Sequence, residues 1–173
     1  MALIRTLRRS EGPVTSRDFE VVEHDWFAHA DLEGPLPEGH VVVSLARLEA
    51  ETLVLDGGAR LGVRVPSDTR LSQVLPYVER LARIEIEFPK FTDGRGYTLA
   101  RRLRGEARFS GEIVAVGDVL RDQALLLYRC GFDVLRVAAH RDARDVLRAF
   151  DEMTVFYQAA DDQPLPLFAR SAR

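Results

Sequence analysis

The chain has 173 residues, 46% hydrophobic and 29% charged, with a net charge of −3. That length suits one domain with a sizeable core and is short for two; a slightly acidic total argues against a nucleic-acid binder, which carries a basic patch or stripe. A single cysteine, Cys130, excludes an internal disulfide framework, a cysteine-based zinc site and an iron–sulfur cluster held by this chain alone.

The opening MALIRTLRRSEG lacks an apolar core of signal-peptide length, and no run approaches about 18 apolar residues. The expectation is a soluble cytoplasmic protein with no membrane partner, in a compartment where a lone thiol stays reduced. LIRTLRR and FEVVEHDWF read as short strands of an N-terminal hairpin, with Trp26 and Phe27 as a lid over one edge of the core. From residue 40 the chain alternates strand and helix. HVVVS (40–44) is a strand and LARLEAE a short helix. ARLGVRV (59–65) is a strand closed by Pro66, followed by a helix carrying Leu71, Leu75, Val78 and Leu81 at helical spacing. RIEIEF (83–88) is a strand, and GYTLARRLR sets Leu99, Ala100 and Leu103 on one helix face. EIVAVG (112–117) is a buried strand. Asp118 is placed to cap the helix VLRDQALLLYRC, and Gly131 lies where a C′ glycine belongs. FDVLRVA (132–138) is a strand, RDARDVLRAF a helix, and TVFYQ (154–158) a last strand. The tail from Ala159 reads as extended.

Strands alternating with helices of about 10–15 residues give βαβ units and a mainly parallel sheet. The reading is an α/β fold with a five- or six-stranded, mainly parallel sheet. Residues 1–38 form a β extension packed on the core, 39–158 the α/β domain and 159–173 the tail, one domain overall. A complete eight-fold barrel takes roughly 250 residues, so the sheet is open or a partial barrel.

In such a sheet every strand-to-helix loop emerges at one end, where ligands bind. The loop FPKFTDGRGY (88–97) is dense in charge and in glycine, and holds the only lysine. With the loops GDVLRD and AAHRD it would gather Lys90, Asp93, Arg95, Asp118, Arg121, Asp122, His140 and Arg141 on one rim. Gly94 and Gly96 would let the backbone approach a ligand or adopt a positive φ. A small anion or a partner protein would bind there. Outside the segment around Asp93 and Arg95, these residues also have structural roles open to them. Asp118 can be an N-cap, Arg121 and Asp122 solvated first-turn residues, His140 a structural histidine, and Cys130 a packing residue. Gly94-Arg95-Gly96 begins like a dinucleotide turn, but Leu99 stands where the third glycine or alanine is needed. No metal site is required by the spacing, and no cofactor is expected, flavin being the alternative.

The blocks FPKFTDGRGYTLARRLR and GEIVAVGDVLRDQALLLYRCGFDVLRV resemble the bacterial family catalogued as domain of unknown function 934. Shorter agreements are DWF, VVVSLARL and LGVRV, and together they span most of residues 20 to 158. The resemblance implies a place beside assimilatory sulfite reduction, where members are labelled probable oxidoreductases, and it implies the sulfite reductase haemoprotein or its electron donor as partner. It supplies no catalytic residues. The chain itself offers no ligand set or redox pair of its own for carrying electrons. The reading is therefore an accessory protein that docks on, assembles or couples the haemoprotein. The alternatives are a small enzyme on an anionic metabolite, with Arg95 and Arg121 as clamp and Asp93, Asp118 or His140 moving a proton, and a flavin oxidoreductase.

Overall fold

The computed structural model describes residues 2–7, 14–23, 26–28, 36, 38–50, 60–153 and 155–170. The strands are β1 (Leu3–Thr6), β2 (Phe19–Val22), β3 (Phe27–Ala28), β4 (Val41–Ser44), β5 (Leu61–Pro66), β6 (Arg83–Phe88), β7 (Glu112–Gly117) and β8 (Val134–Arg136). The helices are α1 (Leu45–Ala50), α2 (Leu71–Val74), α3 (Arg95–Gly105), α4 (Ala124–Arg129), α5 (Ala143–Leu147), α6 (Ala149–Glu152) and α7 (Leu167–Arg170).

One sheet takes all eight strands in the order β2-β1-β8-β7-β6-β5-β4-β3. From β3 to β8 each strand pairs parallel with its successor, while β1 lies antiparallel to both β8 and β2. The sheet is open, with β2 and β3 as its edges. It holds more than the expected five or six strands because the N-terminal hairpin joins the β8 edge and Phe27–Ala28 adds a short strand at the other.

A parallel sheet laid down in chain order, with crossovers of one hand, puts its connecting helices on one face. The packing follows that rule. Val63, Val65, Ile84, Ile86, Phe88, Ile113 and Ala115 join Leu71, Val74, Leu99, Ala100, Leu103, Leu127, Tyr128, Val146 and Phe150 in one core cluster. The opposite sheet face has a second, smaller apolar cluster, built among the described residues from the strand residues Leu3, Val114, Val116 and Val134.

Several elements depart from the sequence reading. The helix expected to run from Leu71 to Leu81 is α only to Val74. Pro76 lacks the N–H that an α-helix needs there, and Leu75–Arg80 winds as a 3₁₀ stretch. RDARDVLRAF splits into α5 and α6 at Arg148. Val155–Gln158 forms no strand: Phe156 is buried, with the Arg129 guanidinium 3.9 Å from its ring centroid, while Val155 and Tyr157 face outward. The tail is not simply extended either. Its backbone returns to α4, where Asp161 N–H donates to the Arg129 carbonyl and Arg129 pairs with Asp162 at 3.2 Å, and it ends in α7. Gly131 ends α4 at φ +109, the left-handed position expected of it. Arg8, Arg9, His24, Asp25, Glu51, Ala59 and Thr154, which the sequence reading also used, lie outside the described residues.

Among the described residues no helix is long and apolar enough to cross a membrane.

Candidate functional site

The C-terminal ends of β5 and β6 open into two loops that are tied together. After β6 the chain turns on itself, Asp93 N–H donating to the Lys90 carbonyl at 3.0 Å, and α3 begins at Arg95. Ser67, just past β5, donates its hydroxyl to Asp93 Oδ2 at 2.6 Å. Arg95 donates to the same carboxylate from its backbone N–H, from Nε at 3.0 Å and from Nη2 at 2.8 Å. Its Nη1 reaches Asp68 at 3.2 Å. The Arg95 side chain, then the Ser67 hydroxyl, hold the Asp93 carboxyl well below the usual carboxylate range, and Asp93 in turn raises the Arg95 guanidinium.

The next loop along the sheet clamps Phe91. Asp118 Oδ2 accepts the Phe91 N–H at 3.1 Å, and Gln123 Nε2 donates to the Phe91 carbonyl at 2.6 Å. Both polar backbone groups of Phe91 are thus held by side chains following β7, while the residue is 49% exposed. Asp118 therefore does not cap the following helix, as its position suggested. That turn starts at Arg121, and Gln123 Oε1 accepts the Leu120 N–H in the capping role. Tyr97, on the first turn of α3, has its phenol pushed up to about 12, first by burial and then by the nearby Cys130 and Asp122; a hydrogen bond with Gln123 opposes the shift.

A family model described as "Bacterial protein of unknown function (DUF934)" matches residues 62–168. The chain belongs to this family. Comparisons with curated proteins and with solved structures returned no match. The stretch shared with DUF934 contains both loop networks, from Ser67 to Gln123.

The glycines of this DUF934 loop do other work than expected. Gly94 is the residue before α3 at φ −80, with open space around it, so neither a positive φ nor a close approach requires glycine there. Gly96 lies inside the first turn of α3, where a Cβ would stand 2.7 Å from the Phe88 ring. It lets the helix pack against β6. Beside this loop, a positive φ is instead adopted by Gly117 at the end of β7, at φ +98; a Cβ there would stand 2.2 Å from the Phe88 carbonyl oxygen.

The remaining rim residues do not converge on Asp93 and Arg95. Lys90 is exposed. Arg121 turns away to bond Glu152 of α6 and to face Asp145 of α5 at 3.5 Å. Asp122 is exposed, and His140 and Arg141 lie on an exposed turn beyond β8. A clamp made jointly by Arg95 and Arg121 is therefore not assembled. Among the described residues no three or more histidine, cysteine, aspartate or glutamate side chains gather as a metal-ligand set.

A charged cluster escaped the sequence reading. On the sheet face opposite the described helices Glu85 and Arg83 have no exposed surface, and Arg136 is nearly as buried. Glu85 accepts from Arg64 at 2.7 Å and from Arg136 at 2.6 Å, with Arg83 3.8 Å away. Arg83 also bonds Glu112 at 2.6 Å, Arg5 meets Glu112 at 3.2 Å, and Trp26 lies over the Arg83 guanidinium, 4.4 Å from ring centroid to carbon. Burial, then repulsion from Arg64 and Arg83, pulls Arg136 below the usual arginine range against the attraction of Glu85. The trace in the sequence is the alternation R-I-E-I-E, which also fits a strand with one face in water.

Proposed function

We propose that this DUF934 protein is an accessory factor of assimilatory sulfite reduction. It docks through its strand-end rim on a protein partner, the sulfite reductase haemoprotein or its electron donor. The pathway and the partner are supported by the family resemblance of the two long blocks.

Docking rests on one observation. The acids that would serve an enzyme at this rim are used to build a rigid display. Asp93 is held ionised by Arg95 and Ser67, so it has no proton to give near neutral pH. Asp118 holds the Phe91 backbone, and His140 lies apart on its own turn. What the construction leaves facing outward is an aromatic ring with both backbone hydrogen-bonding groups fixed. Pre-organised aromatic anchors are efficient in interfaces because little conformational freedom is lost when they are buried.

The test is capture of the haemoprotein and of its electron donor by the purified protein, wild type against Phe91→Ala, with reconstituted sulfite reduction measured with and without it. Capture by the wild type and at least tenfold weaker capture by the variant support the proposal. Equal capture by both, or no effect on sulfite reduction, removes it.

A further inference from the structure

Between the loop Ser67–Leu71 and the first two turns of α3 lies an open groove of about 270 Å³. It sits beyond the C-terminal end of β5, the end of a parallel sheet at which ligands bind. Its floor includes Leu71 and Leu99, both almost fully buried, and its walls carry Arg70, Arg95, Arg102, Thr69 and Thr98, with one carboxylate, Asp68.

Counting donors shows what such a groove accepts. A guanidinium has five N–H donors and no acceptor. Arg95 directs Nε and Nη2 to Asp93 and Nη1 to Asp68, leaving two N–H donors of the five. Arg102 commits Nε and Nη2 to Glu106, leaving three. Arg70 is exposed, and among the described residues its guanidinium makes no ion pair. The Thr69 and Thr98 hydroxyls add donors, whereas Asp68, the acid among the lining residues, already accepts from Arg95. The bonds to Asp68 and Asp93 fix the Arg95 guanidinium before any ligand arrives. The walls thus offer many donors and few free acceptors above an apolar floor.

We propose that this groove binds a small organic anion, its phosphate, sulfate or carboxylate head group received by Arg70 and Arg95 and its apolar body lying toward Leu71 and Leu99. Guanidinium forks match such planar or tetrahedral oxyanions through paired hydrogen bonds. This site is separate from the docking of Phe91 and does not depend on it.

Titration of the ¹⁵N-labelled protein with inorganic phosphate, inorganic sulfate, phenyl phosphate and benzoate tests it. The expected result is saturable shifts at the amides of Thr69, Arg70 and Thr98, tighter for phenyl phosphate than for inorganic phosphate, and weakened at least fivefold in Arg70→Ala. Arg102→Ala, on a different element, weakens binding in the same direction. Shifts that do not saturate, that follow ionic strength when sodium chloride replaces the anion, or that persist unchanged in both variants overturn the proposal. Phe91→Ala gives the same titration as wild type, so a failure of the docking reading and a failure of this one are told apart.

Discussion

Arg136 on β8 places its Nη2 2.6 Å from Oε1 of Glu85 on β6, reaching across the whole of β7. Arg64 on β5 holds the other oxygen of the same carboxylate at 2.7 Å. Glu85 therefore ties together β5, β6 and β8 across the intervening β7, on the face opposite the described helices. Removing a buried carboxylate from such a group leaves guanidiniums uncompensated in a poor solvent for charge. Glu85→Gln is expected to destabilise the fold by about 3–5 kcal/mol. Chemical denaturation measures it, and a loss below about 1 kcal/mol would place the cluster in the same class as exposed pairs.

Three glycines separate conformational need from packing need. Gly117→Ala forces a Cβ onto the Phe88 carbonyl at φ +98, where strain alone costs about 1–3 kcal/mol and the clash adds to it. Gly96→Ala meets the Phe88 ring at 2.7 Å and must displace it, an overpacking cost of about 1–3 kcal/mol. Gly94→Ala meets nothing and should change stability by no more than about 0.5 kcal/mol. Melting of the three single variants gives the order directly; Gly94→Ala as the most damaging would contradict it.

Those glycines also show where the sequence was readable. The Val41–Val43 run, the alternation in RIEIEF and the spacing of Leu99, Ala100 and Leu103 gave the strands, the sheet direction and the buried helix face, because period and branching are local properties. The loop after β6, singled out for its density of charge and glycine, holds the network of Ser67, Asp93 and Arg95. What the sequence could not say was which contacts those charges make. Gly96 is needed because of the Phe88 ring, eight residues back, and Asp118 serves Phe91 rather than its own helix. The alternation in RIEIEF marked a strand and left open what its charged face meets. Here Arg83 and Glu85 are buried by partners from β5, β7 and β8 that no local pattern announces.

Asp93 gives a pH signature. Its carboxyl is depressed in the folded state by Arg95 and Ser67, against an ordinary value of 3.8. A depressed carboxylate contributes stability that is present above the unfolded value and is lost as the pH falls through the folded one. The contribution of Asp93 is thus complete at pH 5 and above, and declines only on acidification below about 4. Carboxyl ¹³C shifts should show Asp93 still ionised at about pH 3, where an unperturbed aspartate is mostly protonated. Arg95→Ala and, to a smaller degree, Ser67→Ala should raise its midpoint toward the ordinary value. A wild-type midpoint at that value would mean the ring of donors around Asp93 does not persist in solution.

Cys130 is 8% exposed at the end of α4, and burial raises its thiol above the ordinary range, with Arg101 and Arg129 opposing. The thiolate is the reactive form, so both access and ionisation work against modification. Native protein should react with iodoacetamide at least tenfold more slowly than the urea-unfolded chain at the same pH. Equal rates would assign Cys130 to an open, reactive setting and reopen a chemical role for it.

The clamp on Phe91 makes a prediction that separates display from contact. Asp118→Ala removes the acceptor for the Phe91 N–H and leaves the Phe91 ring in place. If pre-organisation is what the clamp supplies, amide exchange at Phe91 quickens by an order of magnitude or more in this variant, while global stability shifts by roughly 1 kcal/mol or less, as for an exposed hydrogen bond. Partner capture should then weaken even though no contacting aromatic is lost, because ordering the loop again falls to the binding step. Gln123→Ala, which frees the carbonyl on the other side, should act in the same direction. If both variants exchange faster at Phe91 and yet capture the partner as well as wild type, the two side chains only finish the loop, and the anchor must be sought elsewhere on the rim.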